Sequence, residues 1–182
     1  VTQITRCHIK QYNSSLFLVT AGADSAIQQL NSHAAVLTPA GQGYSDLMRV
    51  RSGNADVTID TSDEFIVQMI NLDAQNYINF KKGCYTGQEI VARAHYRGSV
   101  KRRMHLMRLD TAQIPPVGVA LMDSNGKVIG TVAAAARASE LSIEALVVLP
   151  NKYLETAEVT FDKAKLVNAT HLPLPYEVLE HS

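Results

Sequence analysis

The stretch Lys81-Lys82-Gly83-Cys84-Tyr85-Thr86-Gly87-Gln88-Glu89 gathers residue types that can do chemistry, including one of only two cysteines in the 182-residue chain. Thr86 and Glu89 stand at the spacing of a capping box, with Thr86 as N-cap and Glu89 at N3. The pattern predicts a helix from Gly87 to Tyr96, with Ile90, Val91 and Ala94 on its inner face and Gly98 as its stop. Cys84 then lies just outside the positive end of that helix, where a thiolate is favoured, and Lys81 and Lys82 act in the same sense. Gly83 leaves room beside the sulfur for a ligand or another stretch of backbone. Two readings of Cys84 follow from its surroundings. It is a reactive or ligating thiol, or it is the small buried hydrophobe that free cysteines usually are.

Glu89, Arg93 and Arg97 recur every four residues and form one stripe on the expected helix. The stripe is either a set of surface ion pairs, each contributing about 0.3–0.5 kcal/mol, or an arginine ledge for an anion. Lys101, Arg102 and Arg103 add cations just beyond it. Gln88 could recognise a heterocycle or face solvent, and Tyr85 could stack on a ring or pack in the core. Cys7 reads as packing, and His95 and His105 as surface histidines. From Lys81 to Arg108 there are eight Lys/Arg and one acid, Glu89, a net of +7, while the rest of the chain carries −7. The overall net charge of zero therefore hides a basic segment suited to a phosphate, a polyglutamate tail or RNA, or simply a solvated helix face.

The elements that must position these residues fall into two groups. Up to about residue 98 the pattern is α+β, with a strand over Ser15–Thr20, a short helix over Ala23–Ser32, a strand over Ala34–Thr38 and a loop over 39–43. Leu47–Arg51 alternates weakly, Val57–Asp60 is extended, and Ile66–Ile70 reads equally as strand or helix. Beyond Gly98 the period changes to two. Strands are expected over Met104–Leu109, Val117–Met122, Val128–Ala135, Leu141–Leu149, Ala157–Asp162 and Ala164–Asn168, with a hairpin turn at Asp123-Ser124-Asn125-Gly126. Six short strands argue for a small antiparallel barrel or sandwich. Leu172-Pro173-Leu174-Pro175-Tyr176 reads as a rigid tail packed on it. The expected domains are 1–100 and 101–182.

Composition is that of an ordinary globular chain, with 46% hydrophobic residues and no run long enough to cross a bilayer. No signal peptide is visible, and the start at Val1 reads as a trimmed or processed product. Cys7 and Cys84 form no CxxC pair, which argues against a built-in metal site or a disulfide framework and fits a reducing compartment. An iron–sulfur cluster normally takes about four ligands, more cysteines than this chain has. There is no GxGxxG, no P-loop and no recognisable Ser/His/Asp arrangement, so nothing supports a hydrolase or a nucleotide-hydrolysing enzyme.

Lys82-Gly-Cys-Tyr-Thr-Gly-Gln-Glu-Ile-Val-Ala-Arg93, followed by Tyr96-Arg-Gly, resembles the signature of the YgfZ-type folate-binding family, which includes mitochondrial iron–sulfur assembly factors. Ser15–Thr20, Asn71-Leu72-Asp73 and the Leu172–Tyr176 tail extend the resemblance. It implies a partial α+β lobe of the glycine-cleavage aminomethyltransferase fold followed by a C-terminal antiparallel β-barrel, with most of a first lobe missing. It further implies tetrahydrofolate as ligand and a role in iron–sulfur cluster assembly or repair, and through it in tRNA methylthiolation. Partners would be assembly proteins or cluster enzymes, with tRNA indirect and no membrane. The compartment would be the cytoplasm, or the mitochondrial matrix in a eukaryote. Cys84 and Lys82 take the catalytic positions, with Cys84 a transient iron ligand. Tyr85, Gln88, Glu89, Arg93, Arg97, Lys101 and Tyr44 are the candidates for folate or anion binding. A tryptophan that helps to hold folate in some members would fall near Ser45; this chain has no tryptophan, and Tyr44 is the stacking substitute. The alternatives are a tetrahydrofolate-dependent aminomethyltransferase working on a lipoyl-protein carrier and a tRNA-binding module.

Overall fold

Period-two hydrophobicity beyond residue 100 closes into a barrel. In the computed structural model, which describes residues 3–9 and 14–20 by their backbone together with 28, 32, 40–83, 85–96, 100–161 and 165–178, six antiparallel strands make it. They are β3 (Arg103–Leu109), β4 (Ala120–Asp123), β5 (Val128–Arg137), β6 (Ile143–Leu149), β7 (Glu158–Phe161) and β8 (Val167–Leu172), in the closed order β3-β6-β5-β4-β7-β8. Leu106–Leu109 of β3 pair with Ala169–Leu172 of β8, and that ladder completes the ring. Met107, Leu109, Leu121, Val132, Ile143, Val147, Leu149 and Phe161 fill the interior. Register shifts within β4–β5 and β5–β6 bend the strands round the ring. The Asp123–Lys127 turn forms as expected. Asp123 Oδ1 accepts from the N–H groups of Asn125 and Lys127 at 2.9 and 3.0 Å, and Gly126 takes a φ of 76° that few other residues would adopt.

The outer face at β3 and β6 is covered as well, so β6 is buried along its whole length instead of alternating. Helix α1 (Gln42–Arg51) delivers Arg51, whose guanidinium donates twice to the fully buried Glu144 of β6, at 2.7 and 2.8 Å. Residues 66–76 supply the rest as a series of turns, neither strand nor helix. Their buried polar side chains replace a regular ladder. Asn71, at a φ of 59°, donates to the Met104 carbonyl at 2.7 Å. Asp73 accepts two hydrogen bonds from Arg103 at 2.6 and 3.0 Å. The tail packs here too. The Tyr176 hydroxyl donates to the Gly53 carbonyl at 2.9 Å, and burial pushes its pKa up to about 12, so it remains a donor at any ordinary pH.

The chain forms two units, Val1–Ser45 and Asp46–Ser182. The first contains a hairpin of β1 (Gln3–Ile9) and β2 (Ser14–Thr20), with Cys7 opposite Leu16 in the ladder. The strand expected at Ser15–Thr20 is therefore present, paired to the segment that carries Cys7. Most of the helix expected over Ala23–Ser32 and all of the strand over Ala34–Thr38 lie outside the described residues; Gln28 and Ser32 are helical. Three expectations are corrected. Residues 42–51 are helical where a loop and weak alternation were read, and Ile59–Thr61 form a 3₁₀ turn in place of an extended piece. The last strand lies at Val167–Leu172, three residues later than expected at its start.

Candidate functional site

Helix α2 (Gln88–Tyr96) follows the motif, one residue shorter at its start than expected. Gly87 adopts a φ of 87°, outside the helical region, and moves the helix start to Gln88. Glu89 is thereby shifted out of N3, and the reciprocal Thr86–Glu89 cap does not form among the described residues. Gln88 replaces it. Its Oε1 accepts from the Tyr85 N–H at 3.2 Å, while its own N–H donates to the Tyr85 carbonyl at 3.2 Å. Gln88 is thus a structural latch on the motif turn. Glu89 Oε1 instead accepts from Arg93 at 2.9 Å, an exposed ion pair one helical turn long.

No residue of α2 is fully buried. Ile90, expected on an inner face, is 61% exposed. With Glu89, Arg93 and Ala94 it lines a cavity of about 420 Å³, a size usual for small-molecule sites. The wall is apolar at Ile90 and Ala94 and cationic at Arg93. Lys81, Lys82 and Gly83 are exposed, and Lys82 Nζ sits over the Tyr85 ring, 4.7 Å from its centre. The structure thus brings Lys82, Tyr85, Gln88, Glu89 and Arg93 into one neighbourhood. Lys101 is exposed in the segment that enters β3. Tyr44, in the first unit, is exposed in the first turn of α1. Cys84, Arg97 and Gly98 lie outside the described residues. Among the described residues no three His, Cys, Asp or Glu side chains converge as a metal site.

Reading the sequence missed the residues that hold α2. Gln68, almost fully buried, donates from Nε2 to the Val91 carbonyl at 2.7 Å. The Gln68 carbonyl in turn accepts from Arg103 Nη1 at 2.8 Å. A relay therefore runs from Asp73 through Arg103 and Gln68 to α2. Arg103, counted among the cations available to an anion, is buried and committed to Asp73. The only sequence hint of this relay is an acid at Asp73 just ahead of a basic segment. The two histidines also differ from expectation. His95 stacks on Phe80 with ring centres 3.8 Å apart. His105 is only 5% exposed, and burial, with the nearby His171 and Arg103, lowers its pKa to about 4 against a hydrogen bond donated to Asn151 that raises it.

The chain is 43% identical over 121 residues to the tRNA-modifying protein YgfZ of Photobacterium profundum and 36% identical over 137 residues to that of Escherichia fergusonii. Over these residues the chain is similar to YgfZ proteins. The matches cover 65% and 73% of the chain but only 37% and 41% of those relatives, so the chain spans less than half their length. No family model matches it. The glycine cleavage system aminomethyltransferase T of Bartonella henselae shares the fold at a TM-score of 0.56 and 18% identity, covering 94% of this chain and 48% of the other. The expected α+β class with a C-terminal antiparallel barrel is therefore present. Among the described residues no helix is long and apolar enough to cross a membrane.

Proposed function

We propose that this chain binds a reduced folate beside α2 and uses Cys84 in the assembly or repair of iron–sulfur clusters, and thereby in tRNA methylthiolation. The observation that carries the reading is the motif turn opening onto α2, where Ile90, Ala94 and Arg93 line the cavity of about 420 Å³. An apolar wall beside a guanidinium suits a ligand with a flat heterocyclic body and an anionic tail. Kinship with proteins named tRNA-modifying supports the same reading. The division into a ligand-binding part, 1–100, and a barrel part, 101–182, belongs to this proposal.

In it, Arg93 receives the anionic tail, with Lys101 and Arg97 adding positive field, and Tyr85 offers a stacking face. Gln88 fixes the motif turn and Glu89 orients Arg93. Lys82 lies two positions from Cys84, and its charge favours the thiolate, the form that ligates iron or takes sulfane sulfur from a persulfide donor, whose own thiolate leaves. The cluster is cargo, held in passing. Tetrahydrofolate, when bound, supplies a one-carbon carrier. The place of action would be the cytoplasm, or the mitochondrial matrix in a eukaryote.

Two substitutions separate the parts. Arg93→Ala should weaken tetrahydrofolate at least about tenfold by calorimetry, since a charge-assisted contact is removed. Cys84→Ala should leave that titration unchanged and abolish tRNA methylthiolation in cells that depend on the protein. Methylthiolation at the normal level in the Cys84→Ala strain would reject the thiol role, and heat-silent folate titrations would reject the ligand.

A further inference from the structure

We infer that the surface around the Phe80, His95 and Tyr96 rings binds single-stranded RNA, with unpaired bases stacking on Tyr96 and phosphates meeting Lys81. This goes beyond the folate and cysteine reading and does not rest on it. Single-strand interfaces combine exposed aromatic faces with a cationic track, because every base has a stacking face and every linkage carries a charge. Both parts occur here. Tyr77, Tyr85 and Tyr96 are 65%, 42% and 68% exposed, an unusual display for large rings that bury readily.

The rings are held in place. Phe80 stacks on His95 with an interplanar angle of 13°, and Tyr96 meets them edge-on, 6.3 Å from Phe80 and 4.7 Å from His95. Tyr96 therefore stands out from a preformed aromatic cluster, which lowers the ordering cost of stacking on it. It also lines a recess of about 240 Å³ with Ala92, Arg93 and Glu89. A recess lined by both an aromatic ring and a guanidinium offers the two kinds of surface on which an unstacked base rests.

The charge is of the right sign and little opposed. Between Asp73 and Asp110 the sequence contains a single acid, Glu89, which is occupied by Arg93. Among the described residues no carboxylate pairs with Lys81 or Lys82. Lys81 directly follows Phe80 of the cluster, and Lys82 Nζ stands over the Tyr85 ring, so exposed cations neighbour these exposed rings. Duplex RNA offers the charge but not the free bases, and the tyrosines would go unused with it.

The test is fluorescence anisotropy of a labelled twelve-residue oligouridylate against an RNA duplex of equal length, each titrated with the protein over a range of salt. The single strand should bind, and more tightly than the duplex. Tyr96→Ala should weaken it about tenfold with little change in salt dependence, while Tyr96→Phe keeps affinity. Lys81→Ala should lower the slope of log K against log salt by about 0.7. Folding of each variant is checked by its tetrahydrofolate titration and circular dichroism. Equal binding of duplex and single strand, no loss with Tyr96→Ala, or no binding at low salt would each overturn the inference. A folate titration that fails while RNA binds would count against the ligand proposal alone.

Discussion

Asp73 and Arg103 leave almost no surface to solvent, their side chains being 1% and 4% exposed, and each is the other's only countercharge among the described residues. Removing one charge strands the other in a medium that cannot solvate it. Asp73→Asn should cost about 3–5 kcal/mol, read as a lowered urea midpoint, and should speed amide exchange at the start of α2, because Arg103 would no longer hold Gln68. A midpoint equal to that of the unaltered protein would contradict this. His105 sets a pH limit. Its pKa is about 4 when folded against 6.5 ordinarily, so between those values the unfolded chain binds a proton that the folded one does not. Stability therefore falls as pH drops through that window, by about 3 kcal/mol at its lower end. His171 shifts in the same direction through burial. Comparing urea unfolding of His105→Gln with the parent isolates the effect from protonating carboxylates: the parent should lose more stability than the variant between pH 6.5 and 4.

At the scale of elements, the tail and the turn after α1 are interlocked. A Cβ on Gly53 would lie 2.6 Å from the Tyr176 ring, and Gly53 also has a φ of 71°. Gly53→Ala should destabilise by about 2–5 kcal/mol through overpacking plus backbone strain. Tyr176→Phe, which removes only the hydroxyl, should cost about 1 kcal/mol. Thermal denaturation of the two variants gives the ratio, and equal losses would mean that the ring is not wedged there. This interlock illustrates what could be read in advance. Pro173 and Pro175 announced a stiff tail, but not that Tyr176 would dock more than a hundred residues upstream. The motif helix was legible within one residue because its punctuation is local. Its missing boundary residue turned on the conformation of Gly87, which the capping pattern does not encode. Residues 66–76 gave no period because their order comes from side chains bonding backbone far away, as Asn71 does to Met104.

For the molecule as a whole, the barrel was the most legible feature, since six alternating segments and one Asp-x-x-Gly turn leave few other arrangements. Its outer covering was not. Glu144, a charge in the middle of a strand, reads as solvent-facing until Arg51 is seen to reach it from α1. The net-charge pattern misled in the same way by counting Arg103 as available. Closure by the last strand also has a consequence for how the protein is made. Until the ribosome has released residue 172, β3 and β7 each lack the neighbour that β8 provides and present raw hydrogen-bonding edges. An emerging polypeptide in that condition is prone to pair with other nascent chains. Synthesis halted by a stop codon just before β8 would therefore yield inclusion bodies, whereas one placed after Tyr176 would leave a closed, self-contained ring.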